Sequence, residues 1–249
     1  MTEPTILAGA EPLSAAGGPT GVLVLHGFTG NPSSMRGIAE ACAAAGHTVE
    51  MPRLSGHGTT VEDMLTRTWS DWTAEVAAAY DDLAARTERV VVVGLSMGGA
   101  LTAWLGTQRP DVAGLVLINA AAEPAPDMHA MVQGMVDQGE TLMPGIGSDV
   151  ADPDVTESAY SDTPLPPLLT MFDGIEAMQA DLSSVTAPAL IMTSPQDHVV
   201  APSNSDHLAA TLQGPIERVS LERSYHVATI DHDRDLIVER ILDFIDRVA

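Results

Sequence analysis

The chain predicts an α/β fold, with a mostly parallel central sheet and helices on both of its faces. Three observations carry this prediction. Short apolar runs such as Gly21-Val22-Leu23-Val24-Leu25 and Val90-Val91-Val92-Val93 read as strands buried on both faces. Stripes of helical period separate those runs, so strand and helix alternate. At one junction the run ending at Val93 passes through Gly94-Leu95-Ser96-Met97-Gly98 straight into the helical Ala100-Leu101-Thr102-Ala103-Trp104-Leu105.

The elements follow in order. The strand from Gly21 ends at His26 and turns through Gly27-Phe28-Thr29-Gly30. Asn31-Pro32 then has the form of a helix start, with Asn as cap and Pro in the first turn. That helix is expected to run to about Ala45 and to stop at Gly46. His47 to Met51 reads as a short strand. Thr68-Trp69-Ser70-Asp71 resembles a capping box, and Trp69, Trp72, Val76, Tyr80 and Leu83 behind it form one apolar face. After the Ser96 helix, Val112 to Ile118 is another buried strand.

The alternation then breaks. From Ala121 to about Phe172 there is no clear strand, and Pro, Asp and Met are frequent. This stretch reads as an insertion over the edge of the sheet. The expected division is therefore a core of residues 1–120 and 173–249, and a cap of residues 121–172. The regular pattern resumes with Ala189 to Thr193, a helix around Ser205 to Leu212, and Ile216 to Ser220. A last helix from about Arg234 carries Ile237, Ile241, Phe244, Ile245 and Val248 on one face.

Composition narrows the function. The 249 residues hold 34 acidic and 11 basic side chains, for a formal charge of −23, and every basic residue is Arg. Such a surface repels nucleic acid and anionic membranes, so neither is an expected partner. The lone Cys42 lies on an apolar helix face and reads as a buried thiol in a cytoplasmic protein. The N-terminus shows no basic region ahead of an apolar run, and no stretch suits a stable membrane anchor. A monomer or homodimer is expected.

The Ser96 junction carries the chemistry. A sharp strand-to-helix turn lifts the serine hydroxyl above the sheet, and Gly94 and Gly98 stand where side chains would clash. A serine hydroxyl is a weak nucleophile and needs a base, which in turn needs an orienting carboxylate. Functional groups of such folds collect on loops at the C-terminal ends of strands. Asp197 follows the strand ending at Thr193, with Asp206 and Glu123 as its rivals. His226 follows the last strand and is the expected base, ahead of His198, His207 and His232. The amides of Met97 and Phe28 are the expected donors to an oxyanion. His26 and His57 read as residues that order their loops. In the cap, Met128, Met131, Val132 and Met135 form a helical stripe. Met128, Met131 and Met135, within a cap cluster of five methionines that also holds Met143 and Met171, are the candidate lining of an acyl pocket.

Six segments together resemble the α/β-hydrolase superfamily, and within it the bacterial carboxylesterase and monoacylglycerol lipase branch. They are Leu25-His26-Gly27-Phe28-Thr29-Gly30-Asn31, Ser55-Gly56-His57-Gly58, Trp69-Ser70-Asp71-Trp72, Gly94-Leu95-Ser96-Met97-Gly98-Gly99, Gln196-Asp197-His198-Val199-Val200 and Ser224-Tyr225-His226-Val227. The resemblance implies Ser96 as nucleophile, Asp197 as acid, His226 as base, and the Phe28 and Met97 amides as oxyanion donors. It also implies a small cap over an acyl pocket. The expected activity is hydrolysis of short- to medium-chain acyl esters or monoacylglycerols, with no metal or organic cofactor and a small-molecule ester as partner. Thioesterase, C–C hydrolase and perhydrolase chemistry use the same triad, and a non-enzymatic ligand receptor is a further alternative.

Overall fold

The structure, a computed structural model, describes residues 4–123 and 126–249. Its strands in chain order are β1 (Leu13–Ala15), β2 (Thr20–Leu25), β3 (Thr48–Met51), β4 (Arg89–Leu95), β5 (Gly114–Ile118), β6 (Leu142–Pro144), β7 (Asp162–Pro164), β8 (Ala189–Thr193) and β9 (Ile216–Ser220). Its α-helices are α1 (Arg36–Ala44), α2 (Val61–Met64), α3 (Trp69–Ala84), α4 (Met97–Gln108), α5 (Pro126–Asp137), α6 (Leu165–Met178), α7 (Ser203–Thr211) and α8 (Arg234–Val248).

Seven strands make one sheet in the order β1-β3-β2-β4-β5-β8-β9. All neighbours are parallel except β1, which runs antiparallel to β3 at the edge. The two-residue period of the strands divides the core between the faces. Leu23, Val92, Leu115 and Ile191 face one cluster, with Trp72, Val76 and Leu83 of α3 and Leu101 and Leu105 of α4. Val24, Val93, Val116 and Leu190 face the other, with Ile38 and Cys42 of α1 and Ile237, Ile241 and Phe244 of α8. Both sides of the central strands are thus buried, which is why those strands are apolar without alternation.

Local signals explain the helix ends. The Asp71 carboxylate accepts from the Thr68 N–H and hydroxyl, each at 2.8 Å, and opens α3. Asn31 does cap a helical turn, its side chain accepting from the Ser33 N–H. That turn is a 3₁₀ turn of Pro32–Ser34, and α1 starts separately at Arg36. Gly46, at φ +95°, closes the helix in the left-handed region that favours glycine.

The chain between β5 and β8 holds α5, α6 and the antiparallel pair β6–β7. Strands of three residues carry no readable periodicity, so β1, β6 and β7 leave no mark in the sequence. α6 runs unbroken through residue 172 to Met178, so the expected boundary after residue 172 falls inside a helix. Gly174 has the look of a breaker but serves close packing: a Cβ there would come 2.2 Å from the Trp69 ring. Because β5 and β8 are parallel neighbours, the chain leaves at the C-terminal end of β5 and crosses back to the opposite end of the sheet before it enters β8. No helix among the described residues is long and apolar enough to cross a membrane.

Candidate active site

The geometry begins at Ser96, between β4 and α4. Its backbone sits at φ 56°, ψ −117°, a conformation that a non-glycine residue holds only when its surroundings enforce it. The enforcement is visible at the two glycines. A Cβ on Gly94 would meet the Gly98 carbonyl oxygen at 2.1 Å, and one on Gly98 would meet the Leu25 carbonyl oxygen at 2.2 Å. The strand, the turn and the β2 end therefore pack backbone against backbone. A Cβ on Gly27 would lie 3.3 Å from the Ser96 Cβ, so the loop after β2 also passes close to the serine.

Ser96 and His226 line the same cavity of about 290 Å³. His226 Nδ1 lies 2.7 Å from Asp197 Oδ2, and both side chains are buried. The other Asp197 oxygen accepts from the Val199 and Val200 N–H groups, each at 2.8 Å. With the carboxylate held on three donors, the imidazole proton is drawn to Nδ1 and Nε2 is left as an acceptor. The rival groups are engaged elsewhere. Asp206 pairs with Arg218 on the surface. His207 contacts Gln179 and lies 3.5 Å from Glu123, and His198 pairs with Asp149.

The loop after β2 is ordered from behind by two fully buried histidines. His26 bridges the Gly27 carbonyl and the Leu54 N–H, and burial lowers its pKa to about 4, so it stays neutral. His57 packs edge-on against His26 and Trp72, and burial also drives its pKa well down. Phe28 completes this aromatic cluster against Trp72. Its N–H donates to no acceptor among the described residues. Met97 is the first residue of α4, where a helix leaves its N–H groups unpaired.

The predicted methionine stripe divides. Met128 lines the cavity, but Met131 and Met135 do not, and Met131 stands 46% exposed. α5 turns Val132 into the core, which rotates Met131 toward solvent; Met135, seven residues past Met128, lies about 10 Å further along the axis. Two other methionines of the expected cluster, Met143 and Met171, do line the cavity, and Leu168, Phe172 and Ile175 of α6 join them.

Several site residues had no local sequence signal. Glu157 lines the cavity and is half-buried; burial pushes its carboxyl up to about 7, against the opposing pull of His226. It lies beside Gly30, where a Cβ would come 2.8 Å from its Oε1. Tyr160 binds the Gly56 carbonyl and the Thr59 N–H through its hydroxyl, while its own N–H donates to the Thr29 carbonyl. Asn119, at φ 42° just after β5, donates to the His226 carbonyl at 2.8 Å and accepts from the Ser194 N–H. Its place at a strand end was the one available hint.

Comparison with known proteins agrees with this architecture. A thermostable monoacylglycerol lipase from Bacillus sp. (strain H-257) is 47% identical over 98% of this chain and 97% of its own. A carboxylesterase from Bacillus subtilis (strain 168) is 25% identical over 96% and 97%. Among solved structures, one described for LipS and LipT, two metagenome-derived lipolytic enzymes, superposes with a TM-score of 0.93 at 45% identity, covering 98% of this chain and all of that one. The monoacylglycerol lipase of Paleococcus ferrophilus shares the fold at a TM-score of 0.79 and 17% identity, covering 96% of this chain and all of its own. The model of the Hydrolase_4 family, described as serine aminopeptidase S33, matches residues 20–233, and the chain belongs to this family of α/β-hydrolases.

Proposed function

We propose that the protein is a serine carboxylic-ester hydrolase whose preferred substrates are monoacylglycerols of medium chain length. The observation that carries this reading is the shared cavity of Ser96 and His226, with Asp197 bound to the far side of the imidazole. Ser96 Oγ attacks the ester carbonyl as His226 Nε2 takes its proton. The N–H groups of Phe28 and Met97 receive the negative charge that forms on the carbonyl oxygen. The alcohol leaves with the proton from His226. Water, activated by the same nitrogen, then releases the acid from Ser96.

The lining of the cavity suits both parts of such a substrate. Met171, Phe172, Leu168 and Ile175 offer an apolar wall for an acyl chain. Glu157 offers a carboxyl that is half protonated near neutrality and can donate to, or accept from, a glycerol hydroxyl. The names of the 47% identical lipase and of the 25% identical carboxylesterase support the same bond type. The segment between β5 and β8 acts as the cap over this cavity. A single buried cysteine accords with work in the cytoplasm.

The test is a turnover series on monooctanoylglycerol, its di- and triacyl counterparts, p-nitrophenyl octanoate and an octanoyl thioester. Highest kcat/KM on the monoacylglycerol supports the reading. A preference for the thioester, or labelling of Ser96 by a fluorophosphonate without turnover of any ester, overturns it.

A further inference from the structure

The segment after β6 lines the cavity with Ile146, Gly147 and Asp149 and is tied to both loops that carry the acid and the base. Asp149 is the knot. Its Oδ2 accepts from the His226 N–H at 3.1 Å and the His198 N–H at 3.2 Å. Its Oδ1 lies 2.8 Å from His198 Nδ1, and its carbonyl accepts from the Val227 N–H at 3.1 Å. The His198 ring in turn rests edge-on against Tyr225, the neighbour of His226, with ring centres 4.6 Å apart. The Asp149 side chain is only 12% exposed; its bond from the His226 N–H is part-buried, and its bond from the His198 N–H is exposed. Two residues on, the Ala151 and Asp152 N–H groups donate to Asp231, which also takes the Tyr225 N–H. The insertion therefore reaches the base loop through two carboxylates, and one of them spans to the acid loop as well.

We propose that Asp149 is a positioning residue for the Asp197–His226 pair: an acceptor supplied by the insertion that sets the backbone from which both side chains project. The inference rests on the catalytic roles given above for Ser96, Asp197 and His226. Its physical basis is twofold. Removing the carboxylate takes from the part-buried His226 N–H and from the His198 N–H the acceptor they share, and the loops relax to find others. A shift of about 1 Å at a reacting group costs on the order of 10²-fold in rate. The consequence separates this role from that of a pocket wall. A pocket residue matters only to substrates that fill the pocket, whereas a positioning residue matters to every ester alike.

The experiment measures kcat and KM of the full-length protein on p-nitrophenyl acetate and p-nitrophenyl octanoate for wild type, Asp149→Ala and Asp149→Asn, with thermal unfolding as the check on folding. Asp149→Ala is expected to lower kcat at least tenfold on both esters, with KM within about threefold of wild type. Asp149→Asn keeps an acceptor oxygen toward the two amides and is expected to recover most of that loss. Asp149→Ser, too short to reach both amides, replaces the alanine variant if that one does not fold. Wild-type kcat in the folded alanine or serine variant overturns the proposal. So does a loss confined to the octanoate, or one that asparagine fails to relieve. Ser96→Ala runs alongside: turnover surviving there would refute the catalytic assignment itself, a result distinct from any of these.

Discussion

Glu157 Oε1 occupies the space a side chain at Gly30 would need, 2.8 Å from where that Cβ would stand. One residue lies on the loop after β2 and the other in the insertion, 127 positions apart in the chain. The contact joins the loop of the Phe28 amide to the one carboxyl in the cavity whose pKa is raised to about 7.

Gly30→Ala is accordingly expected to fold, because the atom in the way is the far end of a flexible side chain. It should displace the Glu157 carboxyl, raising KM for monooctanoylglycerol several-fold while sparing p-nitrophenyl octanoate. Gly98→Ala is the contrast. Its Cβ would meet the Leu25 carbonyl at 2.2 Å, backbone that cannot move without opening the sheet. A loss of more than about 4 kcal/mol in unfolding free energy, or no folded protein, is expected there. A Gly98→Ala protein as stable as wild type would refute the steric account of the turn.

The pH dependence of Glu157 has a definite sign. Its carboxyl is raised from 4.5 to about 7, so the folded state favours the protonated form. That contribution to stability is complete below about 4.5 and is lost as pH rises through 7. Glu157→Gln, neutral throughout, should therefore melt higher than wild type at pH 8, with the difference shrinking toward pH 5. Wild-type KM for monooctanoylglycerol should also change through pH 7, while that of the glutamine variant stays flat. Identical melting-temperature profiles for the two proteins would show that Glu157 is an ordinary ionised carboxylate.

Replacing the nucleophile should remove ester turnover, with a loss on the order of 10⁶ in kcat and no change in fold. Asp197→Asn should cost about 10⁴, because an amide on Nδ1 no longer selects the tautomer that leaves Nε2 bare. Asp206→Asn, on a side chain paired with Arg218 at the surface, should leave kcat within twofold. Steady-state kinetics on one ester decides all three, and a damaging Asp206→Asn beside a mild Asp197→Asn would reverse the assignment.

Chain-length preference tests the cavity wall. Each buried methylene is worth about 0.8 kcal/mol, so kcat/KM should climb roughly fourfold per carbon from acetyl until the cavity is full, then fall. Met128→Glu, at a lining position still 41% exposed, should fold and flatten that climb. Met131→Glu, outside the lining, should leave it unchanged. A wild-type optimum at acetyl, or equal effects of the two substitutions, would remove the acyl role of this wall.

The sequence by itself determined the parts of this protein that depend on near neighbours. Ser96 could be placed in its turn because glycines stand two residues away on either side, a pattern read within five positions, although the clash that excludes a side chain at Gly98 is with the Leu25 carbonyl of β2. The β-branched runs become strands because both faces of a central strand must be apolar. Asp197 and His226 could be named because each follows a strand, and parallel strands deliver their ends to one edge. Tertiary structure alone decided whatever depends on the rotation and depth of a packed element. Met128, Met131 and Met135 are alike in the chain, yet the orientation of α5 sends only the first to the cavity. Glu157 holds its proton near neutrality because of burial, which no local pattern encodes. Asp149 reaches a histidine amide 77 residues away, and nothing in its own neighbourhood distinguishes it from the other acidic residues of this chain.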